Sequence, residues 1–100
     1  MTDPEERGTN MNKAIITVVG KDTVGIIARV CSYLADNKVN ILDISQTIVD
    51  GYFNMMMIVD ISASEKKIST MVSELEGVGN DLGVVIHMQL EEIFTKMHRI

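Results

Sequence analysis

Cys31 is the chain's one cysteine, so no disulfide can form within it and the fold must be held by its core. Its place on the apolar side of the first predicted helix marks it as an inert, packed thiol, and a reducing compartment such as the cytoplasm suits it. Basic residues are few. Nine Lys and Arg against fourteen Asp and Glu leave a net charge of -5, which denies the chain the basic face that a phosphate backbone requires and excludes a general nucleic-acid binder. Aromatics make up 4% of residues and tryptophan is absent. Only Tyr52 with Phe53 could offer a stacking platform, too little for single-stranded RNA. The two histidines, His87 and His98, lie far from any second His or Cys at zinc-site spacing, so we expect no metal and no cofactor. No apolar run approaches the ~18 residues of a membrane helix, and residues 1–10 are polar and acidic, without an export segment. These absences describe a soluble, cytoplasmic protein with neither nucleic acid nor membrane as partner.

Hydrophobic residues, by contrast, make up 46% of the 100 positions, enough for one core without staples. Residues 1–11 have nothing to bury and read as a disordered tail; 12–100 read as a single domain. The organising stretch is Gly20, Lys21, Asp22, Thr23, Val24, Gly25, Ile26, Ile27, Ala28. It closes an apolar run beginning at Ala14 and opens a helical stripe of Ile27, Val30, Cys31 and Leu34, so it reads as strand, tight loop, helix. Gly20 would let the chain leave the strand, Asp22 would cap the helix, and Gly25 would clear a close approach to its start. Free N–H groups at the helix start, at the positive end of its dipole, suit a carboxylate or phosphate.

The rest of the chain repeats two periods. Asn40 opens an alternating run to Val49, Asp50-Gly51 supplies a two-residue turn whose positions both need positive φ, and Tyr52 opens the next run. These predict an antiparallel hairpin. Ser62 and Glu65 offer a capping box for a second helix carrying Ile68, Met71, Val72 and Leu75, with Gly77 and Gly79 marking its end. A fourth strand follows from Val84 to Leu90, and Ile93, Phe94 and Met97 outline a short C-terminal helix. Met55, Met56 and Met57 alternate faces, so they are packing residues and not a cluster of soft-metal ligands. Right-handed crossovers put the first and third strands together, giving an α+β, ferredoxin-like βαββαβ sandwich: a four-stranded antiparallel sheet ordered 2-3-1-4 with two helices on one face. Strands apolar both ways then need a cover on the second face, from the terminal helix, a second subunit, or both.

This order, with Gly20-Lys21-Asp22-Thr23-Val24-Gly25-Ile26-Ile27 at the first turn, Val39-Asn40-Ile41-Leu42-Asp43-Ile44 opening strand two, and Asp50-Gly51-Tyr52-Phe53-Asn54-Met55 at the hairpin, resembles the ACT domain family, in particular its small stand-alone members from bacteria and archaea. The resemblance implies a regulatory module, paired as a homodimer, that binds an amino acid or similar small zwitterion between the first loop of one subunit and strand two of its neighbour. Carried over by position, it nominates Gly20, Lys21, Asp22, Thr23, Gly25 and Ile26 on the loop, with Asn40, Ile41, Leu42 and Asp43 on strand two; the N–H groups of Gly25 and Ile26 would then take the carboxylate of an α-amino acid and Asp22 or Asp43 its ammonium. The alternative is a ligand-free dimerisation or interaction scaffold docked on a partner enzyme. Neither a nucleophile with its base nor a pair of carboxylates around one bond stands out, so we expect no enzyme.

Overall fold

The computed structural model describes residues 12–21 and 23–91. In order they form β1 (Lys13–Lys21), α1 (Ile26–Asp36), β2 (Asn40–Val49), β3 (Tyr52–Asp60), α2 (Ile68–Leu82) and β4 (Val84–Leu90). The strands make one sheet ordered β2-β3-β1-β4, every pair antiparallel. This is the ferredoxin-like sandwich that the two periods predict. The tail over residues 1–11 and the helix expected near the C-terminus, residues 92–100, lie outside the described residues.

Period-two alternation sends Ala14, Ile16 and Val18 of β1, Met55, Met57 and Val59 of β3, and Val84, Ile86 and Met88 of β4 into the core. The helices meet them with residues spaced by four: Ile26, Val30 and Leu34 from α1, Met71 and Leu75 from α2. The α1 stripe is therefore centred on Ile26, one position before the expected Ile27, which is exposed, and Cys31 is half-buried at the edge of the contact. Met56 points away from its neighbours, as alternation requires, into the face without helices. That face keeps much of its apolar surface in solvent: Val19, Met56 and Val85 are each at least 40% exposed, while Ile15 is buried.

The hairpin forms as its turn residues require. Asp50 has φ 54 and Gly51 φ 80, the pair of left-handed conformations that matches the strands' twist.

Three local expectations are corrected. The helix α2 starts at Ile68 with Lys67 as N-cap and no side-chain cap. Ser62 is unavailable for that role, because its N–H donates to Asp60 Oδ1 at 2.9 Å and its hydroxyl turns to the same oxygen, closing a turn just after β3. Nor do Gly77 and Gly79 end α2, which runs on to Leu82. A Cβ on Gly79 would fall 2.6 Å from the Val84 carbonyl oxygen, so glycine is there to let helix and strand touch. Gly20 likewise stays inside β1, where a Cβ would meet Val84 at 2.7 Å.

Ties between the helices complete the layer. Tyr33 of α1 donates to Glu74 Oε1 of α2 at 2.6 Å, and Lys66 Nζ reaches the same oxygen at 2.6 Å. Partial burial and the adjoining carboxylate push the Tyr33 phenol well above its ordinary range, while hydrogen bonds from Lys66 and Tyr33 pull Glu74 below the usual carboxylate range. Arg29 and Asp81 form an exposed pair at 3.3 Å.

Candidate functional site

The loop between β1 and α1 is built by one glycine conformation. Gly25 is the N-cap of α1 with φ 92 and ψ 1, and among the described residues no side chain caps the helix. An L side chain adopts that backbone with strain, although a Cβ would point into open space. Thr23 closes the turn from the other side: its hydroxyl donates to the Lys21 carbonyl at 3.2 Å, and its own carbonyl accepts the Ile26 N–H at 3.4 Å. The first full helical bond is Arg29 N–H to the Gly25 carbonyl at 2.9 Å. Among the described residues, no acceptor meets the N–H of Ile27 or Ala28. Among the described residues none accepts the Gly25 N–H either, so the open donors there are Gly25, Ile27 and Ala28, while Ile26 already leans on Thr23. Asp22, expected as cap and as ammonium partner, lies outside the described residues.

Beside these donors is a pocket of about 210 Å³ lined by Thr23, Gly25, Ile26, Ile27, Ala28 and Phe53. One end is the helix start, with backbone donors and a positive dipole; the wall is aliphatic and aromatic. Such an arrangement can take a small anion-bearing molecule with an apolar flank. Lys21 is exposed at the end of β1 and adds a cation at this end of the sheet. Ile27 and Ala28 belong to the organising stretch but were not nominated as ligand-binding residues, and neither was Phe53. Phe53 comes to the loop through its register opposite Gly20, and only the strand pairing carries that information.

The strand-two candidates sit elsewhere. Lys21 pairs with Tyr52 and Tyr52 with Val49, whereas Asn40 pairs with Asp60, Ile41 with Val59 and Asp43 with Ile58. Tyr52 and Ile58 are six residues apart on β3, about 20 Å along a strand. Within one chain, Gly20, Lys21, Thr23, Gly25 and Ile26 come together at the loop end of the sheet. Asn40, Ile41, Leu42 and Asp43 gather at the other end. There the ladder is irregular between Ile41 and Asp43, Leu42 is exposed, and Asp43 Oδ1 accepts the N–H of Ile44 at 2.9 Å.

The ACT domain sequence profile matches residues 12–89, nearly all of the described chain. This chain belongs to the ACT domain family. It is 70% identical over 90 residues to a UPF0237 protein of Bifidobacterium longum, covering 90% of this chain and 100% of that one. Among solved structures, the ACT domain protein from Streptococcus pneumoniae superposes with a TM-score of 0.73 at 46% identity, covering 82% of this chain and 92% of that one. The regulatory subunit of aspartate kinase from Thermus thermophilus shares the fold alone, with a TM-score of 0.61 at 22% identity over 79% of this chain and 51% of that one. ACT domains are regulatory, ligand-binding modules. No helix among the described residues is long and apolar enough to cross a membrane.

Proposed function

We propose that this ACT domain is a non-enzymatic, cytoplasmic sensor of an amino acid or similar small zwitterion and works as a homodimer. The observation that carries the reading is the pocket at the start of α1: N–H groups of Ile27 and Ala28 that no described residue accepts at its polar end, Ile26, Ile27 and Phe53 along its wall. The carboxylate of the ligand meets the helix start, its side chain lies on the apolar wall, and its ammonium is taken by a carboxylate, for which Asp43 from a second copy is the nominee. Residues Gly20, Lys21, Asp22, Thr23, Gly25 and Ile26 from one subunit, with Asn40, Ile41, Leu42 and Asp43 from the other, make up the proposed site. A ligand held between subunits has different affinity for the paired and unpaired states, which is what regulation requires.

Thermal melts with a panel of amino acids test this. A ligand that binds only the native dimer raises the midpoint in proportion to the logarithm of its concentration. Gly25→Val should abolish the rise, and because a β-branched residue also strains the backbone at φ 92, Ile27→Glu provides a second variant that places a carboxylate in the pocket without touching the turn. No shift with any member of the panel would instead favour a scaffold docked on a partner enzyme, a reading to which the exposed Val19, Met56 and Val85 of the open sheet face lend support.

A further inference from the structure

Three strands of the open sheet face change character toward one end. On β1, Val19 is 46% exposed, whereas Ile15, four residues earlier on the same face, is 6% exposed. On β3, Asn54 and Met56 are exposed and Ile58 is half-buried; on β4, Val85 and His87 are exposed and Gln89 is half-buried. Ile58 and Gln89 flank Ile15 across the sheet, just as Asn54 and Val85 flank Val19. The shielded residues therefore form one row. Neighbours in a row screen the sides of an isoleucine and leave its tip open, so Ile15 has a cover overhead. That cover is not the helix layer, because Ile15 stands outside the core that packs beneath α1 and α2.

Both chain ends lie near the row. Lys13 opens β1 beside it, and β4 closes beside it with Leu90 paired to Ala14. Residues 1–11 carry Met1 and Met11 as their only large apolar side chains. Past β4, by contrast, Ile93, Phe94, Met97 and Ile100 recur at spacings of three and four, the stripe of an amphipathic helix. The backbone is already helical at Glu91, the last described residue, and Glu91 is half-buried. The other face of β4 is taken by α2, whose Gly79 admits Val84. An apolar stripe leaving β4 thus finds bare sheet on one side only.

We propose that residues 91–100 continue as a helix laid across the open face of their own chain, seating Ile93, Phe94 and Met97 on Ile15 and Ile58. The length fits. Residues 92–100 rise about 14 Å as a helix, and the path from β4 across β1 to β3 is roughly 10 Å. Charge fits as well. Glu91 and Glu92 begin the segment and Lys96, His98 and Arg99 end it, in accord with the helix dipole. The basic end arrives over β3, where Asp60 lies on the open face by alternation with Ile58. This cover occupies one end of the face and leaves Val19, Met56 and Val85 bare at the other, so a partner of this face has that end alone to dock on.

Thiol labelling of the full chain tests the cover. In a Cys31→Ala background, Ile15→Cys and Val19→Cys place a thiol at the shielded and at the open end of β1, and a maleimide reports access to each. The Val19→Cys variant should react on the order of tenfold faster. Adding Phe94→Asp should raise the Ile15→Cys rate severalfold and leave the Val19→Cys rate as it was, and Met97→Ser should act in the same direction by less. If Phe94→Asp raises both rates by unfolding the chain, the milder Met97→Ser decides. Equal rates at the two positions, or an Ile15→Cys rate that neither substitution moves, would overturn the proposal. So would protection that grows with protein concentration, since that assigns the cover to a second copy.

Discussion

The two strands of one hairpin have opposite fates. In β3 every second residue from Phe53 to Val59 is buried, whereas its partner β2, with isoleucines in the same rungs, keeps all of them at least partly in solvent. Ile44 and Met57 lie directly opposite one another on the same side of the sheet, yet Met57 is fully buried and Ile44 is not. The difference lies in position. Strand β3 has a neighbour on either side and helices above, while β2 has one neighbour and helices that stop short of it. An apolar residue in a strand is thus only an offer of burial, and the next layer decides whether one chain or two take it up.

The largest effect we expect sharpens that contrast directly. Met57→Ala should cost about 2–5 kcal/mol through lost burial and a cavity, whereas Ile44→Ala should cost roughly 1 kcal/mol in dilute protein, because half its surface is already wet. Urea unfolding of the pair at low and high concentration measures both. Equal costs in dilute protein would abolish the distinction, and a cost at Ile44 that grows with concentration would assign its missing cover to a second copy. A smaller loss, about 1 kcal/mol, should follow Gly51→Ala, since an L residue must then hold φ 80. This variant loosens the turn shared by both strands, so amide exchange should rise in β2 before β3.

The smallest effect concerns the helix layer that covers β3 but not β2. The Tyr33 phenol holds its proton more tightly in the folded state than its ordinary value of 10.0, so its contribution is complete below that pH and fades as pH rises toward the folded value. Denaturation midpoints should therefore fall above about pH 10, and Tyr33→Phe should remove that part of the alkaline limb. For Glu74 the sign is opposite. Its lowered folded value supplies stability above the ordinary carboxylate range that is lost as pH falls through it, and Glu74→Gln should flatten the acid limb.

Much of the architecture was legible in the residues alone because it depends on neighbours in sequence. The apolar, β-branched run over residues 13–19, the β-rich run that opens at Tyr52, the helical spacing in α1 and the Asp50-Gly51 turn each specify a local conformation, and the crossover rule converts their order into the sheet 2-3-1-4. Local chemistry with two competing partners was harder to read. Ser62 could cap a helix or close a turn with Asp60, and Gly79 could end a helix or admit a strand. Both outcomes depend on groups brought near by folding. The candidate site divides along the same line: its loop residues are contiguous and recognisable, whereas Phe53 joins them only through register with Gly20.

By itself the sequence determined the four strands, the two main helices and the Asp50-Gly51 turn, since these follow from the steric and hydrophobic preferences of adjacent residues. Only the tertiary structure decided that β2 is left at an edge with Ile44 and Ile48 uncovered, and that Asn40 and Gly25 stand at opposite ends of one sheet. Those facts are distances between segments remote in sequence, and they exist only once the strands have chosen their neighbours.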